Sequence, residues 1–141
     1  MERSMNVFNI QQFKMHKKGP EKVLGNLEAR IMEILWKIGE GSVRDVRENL
    51  AKKKYISFNT VMTVMNRLIG KQLLQKLRKG GVYCYKAQVT RKTFCQKISE
   101  SIFRELLHDP QFFGMAGFMS AMERLDQNTL KKIENILKKR H

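Results

Sequence analysis

Carboxylates, cysteines and long apolar runs are all scarce in this 141-residue chain. Only 13 Asp and Glu stand against 28 Lys and Arg, a formal net charge of +15. Such an imbalance points to a polyanionic partner, nucleic acid first. Two cysteines, Cys84 and Cys95, are too few for a disulfide framework, so a reduced, cytoplasmic setting is expected. No segment reaches the ~18–20 apolar residues of a membrane span. No charged, apolar and small-residue succession at the N-terminus reads as a signal peptide. His16, His108 and His141 are far apart and no Cys/His cluster has metal-ligand spacing. Phosphate loops, His-Glu-x-x-His and nucleophile elbows are missing too. Neither enzyme activity, nor a cofactor, nor a metal is expected.

What is present is informative by its distribution. The chain is 42% hydrophobic, enough for a modest core, and shows no internal repeat or low-complexity tract. From Asn49 to Ser99 there is no Asp or Glu, while Lys52–Lys54, Arg67, Lys71, Lys76, Arg78 and Lys79 all fall there. An ordinary solvated surface mixes both signs, so a run of this kind suits phosphates. Residues 1–24 lack a clear period and read as a flexible basic arm, broken at Lys17-Lys18-Gly19-Pro20.

Three helices follow. The first begins at Asn26 as N-cap, carries Leu27, Ile31, Ile34, Leu35 and Ile38, and stops at Gly39. Trp36 lies beside that stripe as a core candidate. Ser42 with Asp45 resembles a capping box and opens the second helix, which Val43, Val46 and Leu50 bury and Lys52-Lys53-Lys54 ends. Ser57 starts the third. At about 100° per residue, Phe58, Val61, Val64, Met65 and Leu68 share its apolar side. The opposite side collects Asn59, Thr60, Thr63, Asn66, Arg67 and Gly70. Thr and Asn are mediocre helix formers, so this face suits close approach to base edges and phosphates.

The period then becomes two. Leu73–Lys79 and Val82–Gln88 read as strands joined by the hairpin signal Gly80-Gly81, with Arg78 and Lys79 at the tip. Three helices and a basic β-hairpin make a winged helix-turn-helix domain, assigned to residues 25–89. Residues 90–141 read as three further helices. Thr90 caps the first, Asp109-Pro110 opens the second and Asp126 caps the third. Their apolar positions, Phe94, Ile98, Ile102 and Leu106, then Phe118, Met119 and Met122, then Leu130, Ile133 and Leu137, are the expected seam of a homodimer. The fold class is thus mainly α with a small β-hairpin, a winged helix ahead of a helical dimerisation domain.

The stretches Asn26-Leu27-Glu28 to Ile34-Leu35-Trp36, Val43-Arg44-Asp45-Val46 and Asn59-Thr60-Val61-Met62-Thr63-Val64-Met65-Asn66-Arg67-Leu68 resemble the penicillinase-repressor family (BlaI/MecI/CopY). Tyr83-Cys84-Tyr85 fits the family's Tyr-x-Tyr, and the likeness spans roughly residues 25–140. The resemblance implies a homodimeric transcriptional repressor that binds a dyad operator in double-stranded DNA. Ser57, Asn59, Thr60, Thr63, Asn66, Arg67, Arg78 and Lys79 are the DNA-contact candidates. In the antibiotic-responsive branch a membrane sensor protease triggers cleavage in the dimerisation region. The corresponding pair here is Gly117-Phe118 in place of the family's Asn-Phe. The copper-responsive branch's Cys-x-Cys pairs are missing, which favours the antibiotic-responsive side. Gln72 occupies a position where the family usually has Gly. Two alternatives from other classes are a winged-helix protein-interaction module and a nonspecific nucleic-acid-binding structural protein.

Overall fold

The computed structural model describes residues 13–50, 52 and 55–140. The described residues up to Ser101 form one compact unit and those from Ile102 onward a second. In the first unit, helix α1 (Asn26–Ile38), α2 (Val43–Leu50) and α3 (Phe58–Gly70) are followed by β2 (Leu74–Lys79) and β3 (Val82–Ala87). A two-residue strand, β1 (Glu40–Gly41), joins β3 and gives an antiparallel sheet of order β1-β3-β2. This is a winged helix: three helices with a small sheet whose β2–β3 hairpin forms the wing.

Each helix obeys a local rule. α1 is capped one residue earlier than expected, at Gly25, whose N–H donates to Glu28 Oε1 at 2.9 Å. Glu28 is buried and its other oxygen meets Lys71 Nζ at 2.8 Å, tying the start of α1 to the end of α3. Ser42 and Asp45 form the reciprocal pair at the head of α2, at 2.9 and 3.1 Å. Ser57 caps α3 by accepting from the Thr60 N–H. Val61, Val64, Met65 and Leu68 of α3 pack with Ile31, Met32 and Leu35 of α1 and Val46 and Leu50 of α2, all buried. Phe58, expected with them, is 41% exposed, because it opens into a cleft between the head of α2 and the wing.

α3 ends in a Schellman motif. The Gln72 N–H donates to the Ile69 carbonyl and the Leu73 N–H to the Leu68 carbonyl, at 2.9 and 3.0 Å. The motif needs a left-handed residue, and Gln72 supplies it at φ +62°. At the wing, Gly80 and Gly81 have φ of +56° and +80°, the pair of positive values a two-residue hairpin turn demands.

Two expectations about boundaries change. The arm is not featureless from residue 13: Gly19–Lys22 form a 3₁₀ turn, and Pro20, Val23 and Leu24 are buried. Residues 1–12, and Lys53 and Lys54 of the expected helix stop, lie outside the described residues. The first unit also runs past Gln88. Helix α4 (Arg91–His108), capped by Thr90, buries Phe94 and Ile98, with the Phe94 ring 5.7 Å from that of Trp36. The Trp36 indole N–H donates to the Val89 carbonyl at 2.8 Å. Phe94 and Ile98 are therefore core of the winged helix, and their apolar surface is used within the chain.

The second unit holds the rest of α4, α5 (Gly114–Glu123) and α6 (Gln127–Lys139). Asp109-Pro110 does not start α5. Asp109 Oδ1 accepts from the Gln111 N–H in a tight turn, and the helix begins only after Phe113, at φ +56°. Gly114 follows because a Cβ there would collide with the Leu106 carbonyl. Asp126 caps α6 as expected, accepting from the Thr129 N–H at 2.7 Å. No described residue of this unit is buried. Among the described residues no helix is long and apolar enough to cross a membrane, and no cluster of three metal-ligating side chains occurs.

Candidate nucleic-acid interface

The polar side of α3 stands in solvent as its spacing requires. Asn59, Thr60, Thr63, Asn66 and Arg67 are all exposed, and Ser57 is half-buried beneath them as the cap. The Thr63 hydroxyl donates to the Asn59 carbonyl at 2.8 Å, which leaves its oxygen lone pairs as acceptors. Ser57 and Thr60 hydroxyls lie 2.8 Å apart. Among the described residues the Asn66 amide makes no hydrogen bond and Arg67 no ion pair. The face thus offers a bidentate amide, a guanidinium and hydroxyls with no carboxylate among them. That is the chemistry of base-edge and phosphate recognition.

The turn leading into α3 is pinned by Arg47. Its Nε donates to the Ile56 carbonyl at 2.9 Å, and its guanidinium lies 5.3 Å from the centre of the exposed Tyr55 ring. Arg30 reaches the same region, donating to the Leu50 carbonyl at 3.4 Å.

The wing presents its cations in two different states. Arg78 pairs across the hairpin with Tyr83, and Lys76 with Tyr85. The Lys76 ammonium sits 4.2 Å above the Tyr83 ring and the Arg78 guanidinium 5.2 Å from it, with Arg78 Nη1 donating to the Tyr83 hydroxyl. A ring face steers these cations without neutralising them. Lys79 differs: β1 brings Glu40 to it, at 2.8 and 2.9 Å. The hydrogen bond to Lys79 holds the Glu40 carboxyl below its ordinary pKa, and the same bond raises that of Lys79. The tip lysine is thus already compensated, whereas Lys76 and Arg78 keep their full charge for a phosphate. Sequence reasoning missed Lys76, although alternation opposite the two tyrosines marks it.

Two open clefts flank the first turn of α3. One, of about 380 Å³, lies between Phe58 and Met62 of α3, Val82 and Tyr83 of the wing, and Ser42 and Arg44 at the head of α2. The other, of about 420 Å³, is lined by Ser57, Thr60, Tyr55, Asn26 and Arg30. Cys84 and Cys95 are half-buried. Burial pushes the Cys95 thiol up, more than Arg91 draws it down, so it is held as the unreactive acid.

Compared with known proteins, residues 24–139 match the penicillinase repressor family model. The chain belongs to the penicillinase repressor family. It is 38% identical over 63 residues to the transcriptional regulator BlaI of Mycobacterium tuberculosis, covering 44% of this chain and 46% of that one. A 16.5 kDa protein encoded 3′ of ptsI in Latilactobacillus sakei is 26% identical over 107 residues, 76% of this chain and 69% of the relative. The chain spans about half the length of the mycobacterial regulator. Among solved structures, the DNA-binding domain of the repressor BlaI is 29% identical over 52% of this chain and 87% of its own, with a TM-score of 0.43. The family is one of transcriptional regulators, and α3 and the wing are this chain's candidate contact elements.

Proposed function

We propose that the protein is a homodimeric repressor of transcription that grips a dyad operator in double-stranded DNA, one α3 in each major groove. Thr63 and Asn66 read bases, Asn59 stands beside them, and Thr60, Arg67 and the cap Ser57 engage phosphates. Arg78, with Lys76, grips backbone at the wing, and Lys79 contributes once Glu40 releases it. The observation that carries this reading is the exposed face of α3, polar, cationic and free of carboxylates.

The dimer reading rests on the second unit. Phe103, Phe112, Phe113, Met115, Phe118, Met119, Ile136 and Leu137 are all exposed there, far more apolar surface than a solvated pair of helices tolerates. Ile102, Leu106, Met122, Leu130 and Ile133 are half-buried and complete the seam. Relief of repression by a membrane sensor protease, as in the antibiotic-responsive branch, fits a cut at Gly117-Phe118. Gly117 has open space around it and lies within α5, where glycine costs about 1 kcal/mol relative to Ala, so this turn opens readily to a protease. The site of action is the cytoplasm.

The test pairs two variants in gel-shift titrations on operator and scrambled duplex. Asn66→Ala should cost ~1–3 kcal/mol on the operator and relax preference at one base position. Arg78→Ala should weaken both duplexes alike and lower the salt slope by about one unit. An Asn66→Ala variant with an unaltered specificity ratio removes α3 as the reader. Salt-independent capture of a protein partner would instead favour the interaction-module reading, and equal affinity for both duplexes the nonspecific one.

A further inference from the structure

We propose that the basic turn ahead of α1, Lys14–Lys18, is a second duplex-DNA contact, gripping phosphates on the flank of α3 away from the wing; this rests on the DNA-binding reading above. The turn lies outside residues 24–139 that match the family. It is built into the fold. The Lys14 N–H donates to the Lys22 carbonyl at 2.6 Å, Lys14 Nζ to the Leu24 carbonyl at 2.9 Å, and Lys22 Nζ to the Met15 carbonyl at 2.7 Å. Pro20, Val23 and Leu24 anchor it in the core. Two lysines are thus spent on backbone, and His16, Lys17 and Lys18 are left in solvent. Among the described residues none of these three has a carboxylate within ion-pair distance.

The position of the turn follows from shared walls. Lys18 lines a cleft of about 290 Å³ with Arg30 and Asn49, and Arg30 also lines the cleft with Ser57 and Thr60. Glu21 and Glu33 border the first cleft, but Glu33 is held by Arg91 at 2.8 and 3.1 Å. Around α3, Thr60 is about 200° from both Phe58 and Met62, which face the wing. The turn and the wing therefore stand on opposite flanks of the same helix end. A duplex lying along α3 would pass both. Because the turn is already ordered, little conformational entropy opposes the contact.

The experiment uses the full chain and a random-sequence duplex, so no operator is required. Each phosphate contact adds about 0.9 to the slope of log affinity against log salt. Lys17→Ala/Lys18→Ala should flatten that slope by up to about 1.8 and be rescued by Lys17→Arg/Lys18→Arg. Lys131→Ala/Lys132→Ala, which removes equal charge from α6, should leave the slope nearly intact. An unchanged slope for the Lys17/Lys18 variant overturns the proposal alone. Equal flattening by both pairs overturns it as well, since net charge then suffices. A wild-type chain without salt-dependent duplex binding overturns the parent reading with it.

Discussion

At φ +62°, Gln72 carries a Cβ in a region where an L-residue crowds its own carbonyl, an arrangement that costs about 1 kcal/mol or more. The Schellman closure of α3 imposes that conformation whatever the residue, because Leu73 must reach the Leu68 carbonyl before β2 starts. The Gln side chain is exposed and fills no cavity. Gln72→Gly should therefore stabilise the fold by about 0.5–1 kcal/mol, the strain relieved exceeding the extra chain entropy of glycine. Urea unfolding reads this as a higher midpoint at unchanged m-value. A lower midpoint would mean that the Gln side chain makes a contact that matters more than its backbone. Gln72 stands where the resemblance leads one to expect Gly, and it closes α3 with strain in place of freedom.

Between elements, Glu28 is the clearest joint. Burial pushes its carboxyl up, but the hydrogen bonds from Lys71 and from the Gly25 N–H, with the charges of Lys71 and Arg67, outweigh that and leave it below its ordinary 4.5. A carboxylate with a depressed folded pKa stabilises above the unfolded value, and that contribution disappears as pH falls through the folded one. Wild type and Glu28→Gln should therefore differ most near neutral pH and converge only as the pH falls through the folded-state pKa, below 4.5. A gap that persists in acid would assign the effect to packing instead of charge. This joint is not legible from sequence, since Glu28 and Lys71 sit in separate helices with no period linking them. Local rules decide the Ser42/Asp45 and Asp126 caps, the two-faced α3 and the Gly80-Gly81 turn, but they misplace the α1 cap by one residue and start α5 too early, at Asp109-Pro110. β1 escapes because two residues carry no alternation, and so does Glu40, whose pairing with Lys79 depends on β1 being there. The Phe94–Ile98–Ile102–Leu106 stripe is a correct helix period. Periodicity marks a face to be buried without saying against what, and Phe94 finds Trp36 in its own chain.

For the whole molecule, this division of the stripe decides where the chain can be cut. Every residue of the buried core lies at or before Ile98, and the unit from Ile102 onward buries none of its described side chains. A fragment ending after Ser101 keeps Phe94, Ile98 and their partners, so it should fold as a monomer with a cooperative unfolding transition. A fragment ending after Gln88 loses Phe94 and Ile98 together. Truncating one core Phe costs about 3–5 kcal/mol, so this shorter fragment should be severely destabilised or unfolded. The full chain, with its exposed Phe and Met side chains, should sediment as the proposed dimer. On a dyad duplex the Ser101 fragment should bind orders of magnitude more weakly than the full chain. Linking two half-site contacts at millimolar effective concentration is what the second unit adds. On a single half-site the two should bind nearly alike. Sedimentation of the three forms, followed by titration on one and two half-sites, checks each step. A Ser101 fragment that still sediments as a dimer would move the subunit contact into the winged helix. A full chain that stays monomeric at micromolar concentration would leave the dyad reading without its second arm.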